Sequence, residues 1–202
     1  MGSGGSSIGQ LLAEKLNCKY IDREILKLAA EQVNCDEEDI VVRAEKISSF
    51  WQRNFSGLML GHPEAKYVPL RPLPVSDRTL FDTQVEILKA MAEDCDCVIA
   101  GYAAAFVLPS HAGVFNIFCH APLHQRIKRV MTVYQIKTEH EARLMIESAD
   151  DARRKYVKSM AGAEWTDVSN YHLAIDTSYY SYQETTDLII KFLRTKGLGR
   201  GE

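Results

Sequence analysis

Two short apolar runs, Cys97-Val98-Ile99-Ala100-Gly101 and Val114-Phe115-Asn116-Ile117-Phe118-Cys119, constrain this chain more than any other feature. Neither alternates apolar with polar residues, so neither suits a sheet with one face in water. Near-continuous runs of this length belong to strands buried on both faces, the habit of parallel sheets. Two further segments, 19–22 and 172–176, complete a set of four expected strands with 97–101 and 114–120. Helical patterns lie between them: 24–33, 36–49 with Asp36 as N-cap, 77–93, and 123–134 behind a first-turn Pro122. Thr138-Glu139-His140-Glu141 has the form of a capping box for a helix running to about residue 158, and 182–194 is the last helix. Strands alternating with helices predict an α/β fold in three layers, with a central parallel sheet and helices on both faces. The stretch 61–74 carries four prolines and reads as a loop.

The start of the chain adds a second constraint. Met1-Gly2-Ser3-Gly4-Gly5-Ser6-Ser7 runs straight into the amphipathic pattern Ile8-Gly9-Gln10-Leu11-Leu12-Ala13-Glu14-Lys15-Leu16. Glycines let backbone N–H groups converge on an anion, and a helix start adds unpaired donors and the positive end of the dipole. A Gly/Ser start also suits a flexible leader. The helix and the strand pattern ending in Asp22-Arg23-Glu24 follow in register, however, as half of a nucleotide-binding α/β unit, and this favours the phosphate loop. The Walker A lysine is absent, because Gly5 occupies its place. No strand leads into the loop, so the expectation is that residues precede it or that another segment fills that position.

The 202 residues, 46% hydrophobic and 25% charged, suit one compact domain over 1–202. A net charge of −3 argues against nucleic acid as the main partner. No apolar run reaches the roughly 18 residues of a membrane span, so no membrane partner is expected. Cys18, Cys35, Cys95, Cys97 and Cys119 are odd in number and have neither redox nor zinc spacing, which suggests reduced thiols and a cytoplasmic location. His120, His124, His140 and His172 share no metal-ligand spacing. Ser6-Ser7 lacks the elbow and paired base of a hydrolase nucleophile. Trp51 and Phe55 at i,i+4 read as helix packing, and Tyr179-Tyr180-Ser181-Tyr182 as a loop-to-helix junction without an assigned role.

In a parallel α/β sheet, chemistry collects at the carboxyl ends of the strands. Those ends carry Asp22-Arg23, Gly101-Tyr102, His120-Ala121-Pro122 and Asp176-Thr177-Ser178. Two helices also present cations, Arg126-Ile127-Lys128-Arg129 and Asp150-Asp151-Ala152-Arg153-Arg154-Lys155-Tyr156-Val157-Lys158. Arginine forks there suit a transferring phosphoryl group. The plainer alternative is a solvated helix face with i,i+4 pairs, Asp150 with Arg154 and Asp151 with Lys155.

Taken in order, several blocks resemble the cytidylate kinase-like family of P-loop proteins. They are Gly2-Ser3-Gly4-Gly5 with Ile8-Gly9, Tyr20-Ile21-Asp22-Arg23-Glu24-Ile25-Leu26, Val98-Ile99-Ala100-Gly101, and Asn116-Ile117-Phe118-Cys119-His120-Ala121-Pro122 with Arg126-Ile127-Lys128-Arg129. The order continues through 151–156, Trp165 and Asn170-Tyr171-His172-Leu173-Ala174-Ile175-Asp176-Thr177-Ser178. The resemblance covers residues 2 to about 192. It implies a nucleoside-monophosphate kinase fold with a five-stranded parallel sheet, an acceptor-side helical insertion at about 35–95 and lid-bearing helices at about 123–160. The reaction it implies is transfer of the ATP γ-phosphoryl to CMP or dCMP with Mg²⁺. By position, Gly2, Ser3, Gly4, Gly5, Ser6 and Ser7 would cradle phosphates, and Ser6 or Ser7 would lie nearest Mg²⁺. Asp22 and Arg23 would face the acceptor. Arg126, Arg129, Arg153 and Arg154 would neutralise transition-state charge.

Three departures from the family pattern bear on activity. Gly5 replaces the lysine of the cytidylate kinases proper, the strand arginine before the loop is missing, and Gly101-Tyr102-Ala103-Ala104-Ala105 stands where Gly-Arg-x-Ala-Asp is common. The leading expectation is an ATP- and Mg²⁺-dependent kinase acting on nucleotide substrates. Its rivals are a nucleotide-binding regulatory protein with impaired catalysis and a homodimer whose second subunit supplies the missing arginine.

Overall fold

The computed structural model describes residues 1–22, 78–101, 103–108 and 113–197. The expected helices 24–33 and 36–49, the loop 61–74, Cys35, Trp51, Phe55, Arg23 and Tyr102 lie outside the described residues. The described elements run α1 (Gly5–Leu16), β1 (Lys19–Ile21), α2 (Arg78–Asp94), β2 (Cys97–Ile99) and a short α3 (Ala104–Val107). Then come β3 (Ile117–His120), α4 (Leu123–Tyr134), α5 (Glu139–Ala161), β4 (Leu173–Asp176) and α6 (Tyr182–Thr195).

Among the described residues all strand pairing is parallel, as expected of apolar runs joined through helices. β1 pairs with β2, Tyr20 opposite Val98, and β3 pairs with β4, Phe118 opposite Ala174. The two pairs are separate ladders. This corrects the expectation that 97–101 and 114–120 are enclosed on both faces, because every residue of β2 is only half-buried and β3 ends in an exposed His120. Among the described residues each ladder has two strands, and an edge position leaves a strand's side chains less covered than a central one. The strands are also shorter than the apolar runs, since a strand ends where its ladder ends rather than where its hydrophobicity does.

Helix α1 joins the ladders. Ile8 and Leu12, both nearly inaccessible, pack with Ile175, Ile189 and Leu193, against which Val98, Ile117, Cys119 and Leu173 also rest. Residues at i and i+4 lie on one helix face, so one apolar stripe reaches strands of both pairs. Gly9 permits the close approach, because a Cβ there would stand 3.0 Å from the Tyr20 ring and 3.6 Å from Val98. A second core of Ile127, Val130, Ala142, Ile146 and Ala149 clamps α4 to α5.

Helix ends follow the sequence closely. Thr138 caps α5, accepting a hydrogen bond from the Glu141 N–H at 3.2 Å. That helix passes residue 158 and stops at Ala161, where Gly162 takes the left-handed conformation at φ 67°. Helix α6 opens with a full capping box between Ser181 and Glu184, a role not read from 179–182 in the sequence.

Candidate functional site

The glycine loop before α1 is shaped by two glycines for different reasons. Gly2 has φ 80°, and a Cβ there would meet the Arg126 carbonyl oxygen at 2.9 Å and Val130 at 3.1 Å, so the loop lies directly on α4. Gly4 has φ 78° and is the N-cap of α1; a Cβ on it would collide with the Tyr182 ring. A glycine N-cap offers no side chain, so the first-turn amides of this 12-residue helix keep no side-chain cap. Those amides and the dipole end make an anion seat.

The loop's carbonyl groups are held from below. Thr177, fully buried just past β4, donates its hydroxyl to the Ser3 carbonyl at 2.8 Å. Arg129 on α4 donates to the Thr177 hydroxyl at 2.8 Å and to the Thr177 carbonyl at 2.5 Å, and reaches the Gly2 carbonyl at 3.4 Å. The guanidinium also lies over the Tyr182 ring, 5.5 Å from its centroid. Beside it, Asp176 accepts from the Ser178 hydroxyl at 2.7 Å and the Ser178 N–H at 2.9 Å, and these bonds hold its carboxyl below the usual range.

A second polar group forms around Asp150 on α5. It accepts from the Met1 main-chain nitrogen at 2.7 Å, from Arg126 at 2.6 Å and from Arg153 at 3.4 Å. Burial alone would raise the Asp150 pKa, but the Met1 nitrogen and Arg126 outweigh it and lower the value. Arg153 also lies over Trp165, 5.1 Å from the ring centroid.

The four candidate arginines therefore separate. Arg126, Arg129 and Arg153 come together beside the loop, whereas Arg154 is half-exposed and pairs with Asp151 at 3.0 Å. The alternative helix-face reading fits 151–155 only: Asp151 pairs with Lys155 at 2.8 Å, but Asp150 turns inward to Arg126 and Arg153 instead of pairing with Arg154. Ser6 is exposed at the start of α1, and Ser7 is buried. Asp22 follows β1, and Tyr20 connects it to the loop. The Tyr20 hydroxyl is pushed up to about 12, chiefly by burial and further by the Asp22 charge, with a hydrogen bond to Ser6 opposing.

Sequence reasoning placed Thr177 among the strand ends where chemistry collects without giving it a role, and it gave no site role to Tyr182, Tyr20 or Asp150. Thr177 left a faint signal, as a hydroxyl following an apolar strand at its carboxyl end. Tyr182 left none, since its role is to fill the space beside Gly4.

The loop fits a polyphosphate: backbone donors at a helix start, positions where only glycine is accommodated, and cations alongside. Among the described residues no group of three or more His, Cys, Asp or Glu side chains could hold a metal ion by itself. Of the two hydroxyls at the helix start, Ser6 is exposed and meets the Tyr20 hydroxyl, and Ser7 is buried. The described thiols Cys18, Cys95, Cys97 and Cys119 are free, and burial raises Cys97 to about 12 and Cys119 to about 11. Among the described residues no helix is long and apolar enough to cross a membrane.

This loop, on a helix that joins two parallel ladders, defines a P-loop kinase-type α/β protein. Residues 1–179 match the cytidylate kinase-like family, and the chain belongs to that family. It is 22% identical over 200 residues to the cytidylate kinase of Sulfolobus acidocaldarius, covering 98% of this chain and 92% of the relative. It is 33% identical over 106 residues to the cytidylate kinase of Methanopyrus kandleri, covering 48% of this chain and 54% of the relative. The cytidylate kinase of Pyrococcus abyssi is 33% identical over 116 residues, 57% of this chain and 59% of the relative. The chain thus spans little more than half the length of the Methanopyrus and Pyrococcus relatives. A crystal structure of an uncharacterised protein from Eubacterium ventriosum shares the fold, with TM-score 0.68 and 21% identity over 96% of this chain and 93% of that one. Membership in the family supports a nucleotide kinase-like function.

Proposed function

We propose that this protein is an ATP-dependent phosphotransferase that moves the γ-phosphoryl group of ATP, with Mg²⁺, to CMP, dCMP or another small acceptor. The observation that carries this reading is the glycine loop, with its left-handed N-cap Gly4 and an uncapped α1 start beside three inward arginines. Gly2, Ser3, Gly4 and Gly5 hold the phosphates through the backbone, and Ser6 or Ser7 lies toward Mg²⁺. Bound Mg²⁺ would neutralise charge on the phosphate oxygens. Phosphoryl transfer asks a protein mainly for positioning and cation placement. Arg153 is the inward arginine with the loosest hold, 3.4 Å from Asp150 and about one-third exposed, so it is free to move toward a transferring group. Asp22 and Arg23 belong to the acceptor side, a cytoplasmic location fits such substrates, and pairing into a homodimer is one source of further cations.

One observation favours the second reading, a nucleotide-binding regulatory protein with impaired catalysis. Gly5 replaces the phosphate-loop lysine, and Arg126 and Arg129 are already engaged by Asp150 and Thr177. Incubation with γ-labelled ATP, Mg²⁺ and a panel of nucleoside monophosphates and small alcohols separates the two. Labelled CDP or dCDP, with ADP as the other product, is the expected result. ATP binding without any labelled acceptor would replace the kinase reading by the regulatory one.

A further inference from the structure

Arg129 was a lid candidate on sequence, yet its guanidinium points under the loop, into a buried set of polar groups. We propose that Thr177 and Arg129 are a positioning pair that aims the Ser3 and Gly4 amides at the bound phosphates; the proposal rests on the phosphate-loop reading above.

The argument is one of peptide geometry. The described chain contains no cis peptide bonds, so each C=O points opposite to the N–H of the next residue. Thr177 draws the Ser3 carbonyl inward at 2.8 Å, which turns the Gly4 N–H outward. Arg129 draws the Gly2 carbonyl inward at 3.4 Å, which turns the Ser3 N–H outward. With glycine at 2 and 4, the loop cannot hold this orientation by backbone preference, because glycine populates both signs of φ readily. Something outside it must choose.

The hydrogen-bond inventory of Thr177 closes on this role. A hydroxyl has one proton and two acceptor sites. The proton goes to Ser3 at 2.8 Å, with the His120 carbonyl more distant at 3.2 Å, and Arg129 donates to the oxygen at 2.8 Å. The Thr177 N–H donates to the His120 carbonyl at 2.8 Å, so the residue ties the loop to the ends of both β3 and β4. The Thr177 carbonyl takes the second arm of Arg129 at 2.5 Å, a fork that a lysine could not reproduce. Both residues act through the loop, with no direct contact to substrate required.

The test uses the full chain, with ATP as the probe. Thr177→Val keeps the shape and removes the hydroxyl, and should weaken ATP binding about tenfold, while Thr177→Ser stays within about twofold of wild type. In turnover assays the KM for ATP should rise with the KM for the acceptor unchanged. Thr177→Val with native ATP affinity overturns the proposal, whatever it does to the unfolding midpoint. If that variant does not fold, titration of ¹⁵N-labelled wild-type protein decides. Shifts at the Ser3 and Gly4 amides support the pair. Shifts at Gly5, Ser6 and Ser7 without Ser3 and Gly4 overturn it and leave the phosphate-loop reading standing. ATP binding that moves no amide from 2 to 7 removes both.

Discussion

Around β3 and β4 the fully enclosed residues include Thr177, Thr185 and Thr186, and each gives its hydroxyl to a backbone carbonyl, of Ser3, Ser181 and Tyr182 respectively. On β1 and α2 the fully enclosed side chains are Ile21, Ile87 and Leu88. The first region adds these directional bonds to its apolar core of Ile8, Ile175 and Ile189, whereas the largest enclosed side chains of the second are apolar. Burial of apolar surface brings elements together without fixing orientation, whereas a buried hydrogen bond fails if a group turns. The glycine loop is tied to the first region through Thr177, so its orientation rests on bonds that a turned group would break.

This contrast can be broken at either end. The largest expected effect is Arg153→Ala, which should lower turnover by about a thousandfold with ATP affinity nearly unchanged, the mark of a cation needed mainly in the transition state. Single-turnover rates beside equilibrium ATP binding test it. Ile87→Ala, on the apolar side, should cost about 3 kcal/mol of stability in urea unfolding and leave the ATP affinity of the folded protein intact. A loss of affinity there would show that the two regions are coupled. Gly4→Val adds a Cβ against the Tyr182 ring at a φ of 78°, and should weaken ATP binding by at least about a hundredfold in calorimetric titration. Native affinity in that variant would remove the phosphate-loop reading.

Smaller effects sharpen the contrast. The folded-state pKa of Asp150 lies below its unfolded value of 3.8, so its contribution to stability is present above pH 3.8 and is lost as pH falls through the lowered value. Asp150→Asn should flatten the acid limb of the stability curve, measured by urea midpoints between pH 2 and 5. An unchanged limb would mean that the ion pairs of Asp150 with Arg126 and Arg153 contribute nothing net. Arg154→Ala should alter turnover by no more than about twofold, since an exposed pair such as Arg154 with Asp151 is worth little. A large loss would place Arg154 with Arg153 in the chemistry.

Much of the fold was legible because its signals are local. The apolar runs, Pro122 before α4, Thr138 before α5 and the glycine loop before α1 each state their role within a few residues. Helix boundaries followed to within a turn. Strand burial did not, because a run such as Cys97-Val98-Ile99 reports hydrophobicity but not how many neighbours its strand has. The site was half legible. Its glycines and cations were readable by type, but Arg153 and Arg154 are adjacent, and nothing local tells which turns inward. Thr177 stood at a strand end where chemistry collects, but nothing local gave it a role.

What the sequence by itself determined, then, is the α/β alternation, the glycine turn before α1 and most of the described helix ends, since propensity, capping and periodicity act over one or two turns; the family was legible through the ordered blocks that resemble it. The tertiary structure alone decided that α1 joins two parallel ladders, that Asp150 gathers Met1, Arg126 and Arg153, and that Arg129 and Thr177 hold the loop from below. Those partners stand tens to more than a hundred residues apart, and only packing brings their hydrogen-bonding groups within reach of one another.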